Sequence, residues 1–248
     1  MVLAVQEEVT TVFLRVGQSF LEENGLSPAL LEMPVRLEAP IYGLKNSVYR
    51  DYAAPGTILS IAFLSAIPLT AMVLVVERKQ GLIERSIVAG ASYLRILVAL
   101  LLPQIFILFV SSLSLLIFVF PVFGVSYQGH FSLILLMTFL QSISGMCFGV
   151  LVSTLAKDEN SATMLALSFF YPNLMLSGTV WPVEAMANWV QSIAYYLPQT
   201  LPINAMRLMV SRGWSIFRAE VVCGFAVTAF WSVLFLLASA LAFKLRKL

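Results

Sequence analysis

Polar and apolar positions along this chain fall into long apolar blocks separated by short polar links. Five blocks contain no Asp, Glu, Lys or Arg and run approximately Pro55–Val76, Ile96–Gly124, Phe131–Ala156, Ser161–Pro182 and Val221–Phe243. Each is long enough to cross a hydrocarbon core, which takes about 20 residues of helix. A helix pairs its own backbone N–H and C=O groups, as lipid requires. Strands of a membrane barrel are shorter and alternate in polarity. The pattern therefore predicts an all-α membrane protein, a bundle of about five transmembrane helices.

The first 54 residues are patterned differently. Val5, Val9, Val12, Val16 and Phe20 recur at helical spacing, and Asn24-Gly25 is a stop signal. Ser27-Pro28 opens a second short helix ending before Pro34, and Val35-Arg36-Leu37-Glu38 alternates like a strand. The expected organisation is a small α+β unit over residues 1–54 and a transmembrane domain over 55–248. A packed cap without a site is the plainer reading of the first unit. Its acidic polar face argues against an interfacial helix, which is usually basic.

Composition sharpens the class. Residues in AVILMFWYC make up 60% of the chain and charged residues 11%, with a mean hydropathy of +0.91. Soluble domains are nearer 45–50% apolar and about 25% charged, so an ordinary soluble enzyme is excluded. A net charge of +2 is too small to argue for nucleic acid. Cys147 and Cys223 both lie in apolar blocks and read as reduced core thiols. No Asn-x-Ser/Thr acceptor marks a glycosylated side.

Basic residues orient the bundle. Arg78, Lys79, Arg85, Arg95, Lys157, Lys244, Arg246 and Lys247 cluster in three short segments on one side, while the other seven spread over the N-terminal segment and the Val183–Glu220 reach. Basic density in short loops marks the cytoplasmic side. The Glu77–Arg95 link and the C-terminal tail are therefore expected inside and residues 1–54 outside. Met1–Val16 carries Glu7, Glu8 and Arg15 and has no signal-peptide core. The expectation is a preceding span upstream, the chain being a fragment or an incomplete gene product.

Candidate chemistry is sparse. No block holds an ionisable Asp, Glu, Lys or Arg, and no internal repeat is evident, which disfavours a secondary carrier. The lone histidine, His130, sits in a turn without visible metal partners, and no Ser/His/Asp set is available. No Gly-x-x-x-x-Gly-Lys-Ser/Thr loop occurs, so no phosphate cradle, and hence no ATP or magnesium site, is expected on this chain. Gly145, Gly149 and Ser153 recur every four residues and suit close helix approach. Gln104, Gln141 and Asn173 read as inter-helix hydrogen-bonding amides. Glu77-Arg78-Lys79-Gln80-Gly81-Leu82-Ile83-Glu84-Arg85-Ser86 reads as a short amphipathic helix across the inner mouth, with Glu77 and Glu84 on one face. The apolar outer reach, Val183–Glu220, is expected to dip into the leaflet or pack on the bundle.

The order of these features resembles a family. A span is followed by Glu-Arg-x-x-Gly-x-x-Glu-Arg, two further spans and then Leu176-Ser177-Gly178-x-x-Trp181-Pro182-x-Glu184. Pro198-x-Thr200, Ala205-Met206-Arg207 and Arg212-Gly213-Trp214 follow. This resembles the membrane domain of type-2 ATP-binding-cassette exporters, with the nearest likeness to eukaryotic subfamily H half-transporters and a further one to subfamily G and bacterial permeases. Ala185-Met186-Ala187 departs from relatives that carry proline there.

The resemblance implies several things. The chain would hold spans two to six of six, with an outer domain over much of residues 1–54. A coupling helix within 77–90, carried by Glu77, Arg78, Gly81, Glu84 and Arg85, would dock on a nucleotide-binding domain that holds ATP and magnesium. Gly81 would permit close approach there, and residues 183–220 would form a re-entrant loop. A second permease copy would complete a path near Phe63, Ile67, Phe170, Asn173 and Met175 for lipids or hydrophobic small molecules. The setting would be the plasma membrane. The rival is a non-transporting membrane scaffold or receptor-like bundle, which has no need of the Glu-Arg motif or the Ser-Gly-x-x-Trp-Pro turn.

The charge pattern gives a direct test of orientation. In the intact membrane, a single cysteine at Gln80 is expected to resist an impermeant external reagent, and one at Gln128 to react. The reverse pattern would overturn the assigned sides.

Overall fold

The computed structural model describes residues 11, 12, 15, 16, 20 and 49–246. The chain divides into two compact units, Met1–Tyr49 and Arg50–Leu248. In the first, Thr11, Val12, Arg15, Val16 and Phe20 are helical and exposed. The expected helix is thus present where it is described, and Val12, Val16 and Phe20 are not packed in a core. Val5, Val9, the second short helix and the strand at Val35–Glu38 lie outside the described residues. Among the described residues there is no strand, so the α+β character expected of this unit is not supported.

The second unit is all helix. Its elements are α1 (Tyr49–Lys79), α2 (Leu82–Val88), α3 (Tyr93–Phe123), α4 (Phe131–Leu155), α5 (Glu159–Leu176), a 3-10 turn at Val183–Ala185, α6 (Asn188–Tyr195), α7 (Thr200–Arg212) and α8 (Ala219–Arg246). Four of them are long and apolar enough to cross a membrane: Arg50–Lys79, Arg95–Phe123, Phe131–Leu155 and Ala219–Lys244. These match four of the five expected blocks to within a few residues.

The fifth block is corrected. Only its first part is helical, as the 18-residue α5, whose opening turn carries Glu159 and Asn160. At 1.5 Å per residue this helix is about 27 Å long, and its apolar part is shorter still. Ser177–Pro182, counted in the block from its lack of charge, leaves the helix in a turn around Gly178, where φ is +82°.

α4 is the central post. In its membrane window 67% of residues are buried, against 28% for α3 and for α8, whose apolar residues therefore face outward. Near one end Ile58, Ile134, Met137, Ile203, Met206 and Val221 form a common core from α1, α4, α7 and α8. Toward the other end Phe63, Ile67, Phe148, Phe170 and Phe235 form a second core from α1, α4, α5 and α8. Leu102, Phe106 and Ile117 of α3 are exposed, as are Phe230 and Leu237 of α8. The two helices of the apolar outer reach differ in burial. α7 packs on the bundle through Ile203, Met206 and Met209, whereas α6 leaves Trp189 and Ile193 exposed. Cys147 is buried, Cys223 exposed, and neither is in a disulfide.

Apolar side chains gain little by leaving lipid tails for one another, so helices in a membrane associate through close packing and hydrogen bonds. The α1–α4 contact follows that rule. A Cβ added at Gly145 would strike the carbonyl oxygen of Phe63, and one at Gly149 would lie 2.8 Å from the Ile67 carbonyl and 2.9 Å from Thr70 Cβ. The two glycines let the backbones of the helices touch. Further along the same row, Ser153 is buried and its carbonyl takes part in a contact described below.

Gly149→Val forces those atoms apart. Overpacking of this kind costs about 1–3 kcal/mol. The purified variant is expected to unfold at a lower temperature than the parent, with Gly149→Ala in between. An unchanged midpoint for Gly149→Val would contradict the backbone contact.

Candidate functional site

The polar motifs noted in the sequence gather at the two ends of α1. At the first end α1 stops at Lys79, and a turn at Gln80-Gly81 leads into α2. Gly81 has φ +70°, a left-handed conformation that costs most residues but not glycine. Within the chain a Cβ there would meet nothing within 4 Å. Backbone handedness, not close approach, therefore explains the glycine inside this fold. The turn also corrects the one-helix reading of Glu77–Ser86: Glu77 belongs to α1 and Glu84 to α2, so seven-residue spacing does not give them a shared face.

Arg78 points back into the bundle. Its Nη1 donates to the Ser153 carbonyl at 2.9 Å and its Nη2 to the Ala156 carbonyl at 2.6 Å. Carbonyls in the last turn of a helix lack intrahelical donors. The guanidinium thus ties the end of α1 to the end of α4. One residue on, Lys79 Nζ lies 3.5 Å from Glu159 Oε1 at the start of α5. Both side chains are well exposed, so this pair contributes little energy. Its value is that it joins the α1 end to the α4–α5 link.

That link is itself ordered. Asp158 caps α5 by accepting from the Ser161 N–H at 3.0 Å, and Ser161 Oγ accepts from the Asp158 N–H at 3.1 Å. Hydrogen bonds from Ser161 hold the Asp158 carboxyl below its ordinary pKa of 3.8, with the charge of Lys79 adding a smaller pull.

α2 projects from this junction. None of its residues is buried; Leu82, Ile87 and Val88 are exposed, and so are Glu84 and Arg85. Among the described residues neither Glu84 nor Arg85 forms an ion pair. The arrangement is an outward-facing helix of mixed charge and apolar character, carried on a junction that grips α4 and α5.

The opposite end is organised by Arg207, the last residue of the Ala205-Met206-Arg207 motif. Its Nε donates to the Tyr52 carbonyl at 3.2 Å and its Nη1 to Asn204 Oδ1 at 3.3 Å, while Nη2 donates to the Gly178 carbonyl. The guanidinium carbon also lies 3.9 Å from the centroid of the Tyr52 ring. Beside it, Ser60 Oγ is 3.4 Å from Thr179 Oγ1 and donates to Gln199 Oε1 at 3.4 Å, and Ser177 Oγ is 3.0 Å from Thr179 Oγ1. The Ser-Gly-x-x-Trp-Pro turn is thereby bolted to α1 and α7. A signal existed in the sequence: Arg207 lies four residues after the apolar Ile203, on the face of α7 that packs inward.

Of the five residues assigned to a path, Phe63, Ile67 and Phe170 are buried in one core, and Phe63 stacks on Phe148 at 6.1 Å. Asn173 is buried, while Met175 is 38% exposed and the only one of the five that faces outward. Two of the three noted amides do bridge helices. Thr70 donates to Gln104 Oε1 at 2.7 Å and Thr228 to Gln141 Oε1 at 3.5 Å. Neither side-chain amide atom of Asn173 has a partner among the described residues. His130 is exposed in the position preceding α4. Among the described residues no group of three His, Cys, Asp or Glu could hold a metal.

Known proteins resemble this chain over most of its length. A family model described as ABC-2 type transporter matches residues 10–211. ABC transporter G family member 20 of Dictyostelium discoideum is 31% identical over 210 residues, which is 84% of this chain and 29% of that protein. G family member 23 of the same organism is 32% identical over 164 residues, 65% of this chain and 23% of the relative. The probable multidrug ABC transporter permease YbhS of Escherichia coli (strain K12) is 27% identical over 199 residues, 79% of this chain and 50% of the relative. The chain thus spans half or less of the length of these relatives.

The Asp158 cap yields a pH prediction. A carboxyl held below its ordinary value stabilises the fold above pH 3.8, and that contribution is lost as pH falls through the lower folded-state value. The difference in unfolding midpoint between the parent and Asp158→Asn should therefore shrink as pH drops below 3.8. A difference that stays constant through that range would contradict the assignment.

Proposed function

The chain belongs to the ABC-2 type transporter family of membrane domains, and from that premise we propose that it is the membrane-spanning part of an ATP-driven exporter. It is an integral, multi-pass membrane component. In the proposed assembly, ATP and magnesium reside on a nucleotide-binding domain, and two permease copies enclose the cargo path. The cargo class is lipid or hydrophobic small molecule, in keeping with apolar walls. The subfamily H likeness and a plasma-membrane setting belong to the same proposal.

The observation that carries the reading is α2: an exposed helix mounted on the Arg78 and Lys79 junction. A helix that leaves Leu82, Glu84, Arg85 and Ile87 exposed suits docking on another domain. Glu84 and Arg85 face that domain, with Leu82 and Ile87 as the apolar contacts. Arg78 and Gly81 set the position of α2, and Glu77 joins the docking surface from the end of α1. When ATP draws the nucleotide-binding domains together, α2 moves with them. Arg78 passes the displacement to α4 and Lys79 passes it to α5. The cavity between two copies then changes access from the cytoplasm to the outside. On this reading the path runs along α1 and α5, with Met175 at its wall and Phe63, Ile67, Phe170 and the unpartnered Asn173 behind it. Residues 55–248 form the moving body, the coupling segment lies within 77–90, residues 183–220 close its outer end, and residues 1–54 stand outside.

Glu84→Ala in the complete transporter tests the reading. Loss of one charged contact corresponds to roughly a tenfold fall in cargo-stimulated ATPase and transport. Insertion and assembly should be unaffected, because Glu84 lies outside every span. Full transport by a correctly inserted Glu84→Ala protein would return α2 to a mere topology anchor, since acidic residues contribute little to orientation.

A further inference from the structure

The connection from α7 to α8 has a feature that neither the fold nor coupling uses. α7 stops at Gly213, where φ is +66°. The Gly213 N–H donates to the Met209 carbonyl at 3.2 Å and the Trp214 N–H to the Leu208 carbonyl at 3.4 Å. The positive φ is compulsory there, and a Cβ would also come within 3.0 Å of the Gln128 carbonyl oxygen. The stop is therefore fixed, and Trp214 leaves it in a set direction. The apolar span begins almost at once, at Ala219. Residues 214–218 therefore directly precede the segment that length and composition assign to the membrane, and the site below takes them at its headgroup edge.

Two guanidiniums converge on one ring at this level. The Cζ atoms of Arg212 and Arg218 each lie 5.3 Å from the centroid of Trp214. Contact with an indole face attracts a cation electrostatically, and here it gathers two like charges about one side chain. Arg212 and Arg218 are exposed. Among the described residues Arg218 forms no ion pair, and neither does Glu220, the carboxylate two positions further on. The charge of Arg218 is therefore not answered by Glu220. Next to it, Ile216 is 38% and Phe217 91% exposed, apolar side chains offered outward at the start of a membrane helix.

Charge and greasy tip together specify the occupant. A guanidinium fork matches phosphate oxygens, Trp favours the headgroup region, and a long or aromatic side chain places its apolar body among acyl chains. We propose that Arg212, Trp214 and Arg218 form a binding site for the phosphate of a membrane phospholipid, with Ile216 and Phe217 seated against its acyl chains. The site needs neither ATP nor cargo movement and stands apart from the coupling assignment.

The test uses the full chain in lipid nanodiscs of phosphatidylcholine containing phosphatidylglycerol. Native mass spectrometry after partial delipidation counts the phospholipid that remains. The parent is expected to retain phospholipid, and the double variant Arg212→Gln, Arg218→Gln to bind it on the order of tenfold or more weakly. Phe217→Ser should weaken retention without changing the charge, and excess inorganic phosphate should not displace the lipid. Retention equal to the parent in a folded double glutamine variant would overturn the proposal, as would displacement by inorganic phosphate. If the glutamine pair fails to fold, Arg212→Lys, Arg218→Lys decides: it keeps the charge but loses the planar fork, so weaker retention supports the site and equal retention overturns it.

Discussion

The backbone contact between α1 and α4 is the constraint from which the rest of the bundle follows. In a membrane the hydrophobic effect does not press helices together, so contact area and dispersion must. Gly145 and Gly149 remove the side chains that would hold the two helices apart, and the Phe63 and Ile67 carbonyls occupy the vacated space. Once α1 lies this close, Phe63 and Ile67 are enclosed and Phe148 can stack beside them. The same proximity brings Arg78 within reach of the final carbonyls of α4. An arginine at the opposite end completes the arrangement, since Arg207 binds the Tyr52 and Gly178 carbonyls together. α1 is therefore fixed along its length and at both ends.

In the proposed exporter, that geometry is what lets a bundle whose apolar blocks hold no Asp, Glu, Lys or Arg transmit a displacement. Backbone carbonyls receive both arginines. Carbonyls at the C-terminal end of a helix otherwise lack donors, so the Arg78 guanidinium removes a cost while it makes a joint. The joints differ in what they carry. The Arg78 joint holds a projecting helix with no buried residue, whereas the Arg207 joint holds the turn that ends α5. In the proposed exporter the first is the input from the nucleotide-binding domain and the second keeps the outer end of the bundle together.

Much of this was legible in the sequence because uninterrupted apolar runs have few structural solutions in lipid. Four spans fell where charge-free runs placed them, and the Gly145, Gly149, Ser153 row pointed to close helix approach. The fifth run misled because absence of charge does not separate helix from turn: Gly178 takes a left-handed backbone that ends α5. Gly81 misled in the opposite direction. The spacing of Glu77 and Glu84 suits one helix, but the positive φ at Gly81 breaks it. Arg78 stands in the Glu-Arg motif yet turns inward, because the α4 carbonyls that receive it are 75 and 78 residues away in sequence. Pairings at that separation leave no local pattern.

The central claim is that α1 and α4 move as one body, joined by Arg78. The direct measurement is the distance between spin labels at Gln80 and Leu155, both exposed and adjacent to that joint, in the transporter assembled with its nucleotide-binding domains. Pulsed electron resonance should give one narrow distance that is the same without nucleotide and with ATP bound, and Arg78→Gln should broaden it. A distribution in the parent protein that shifts by several ångströms on ATP binding would show that the two helices move independently, and would contradict the account.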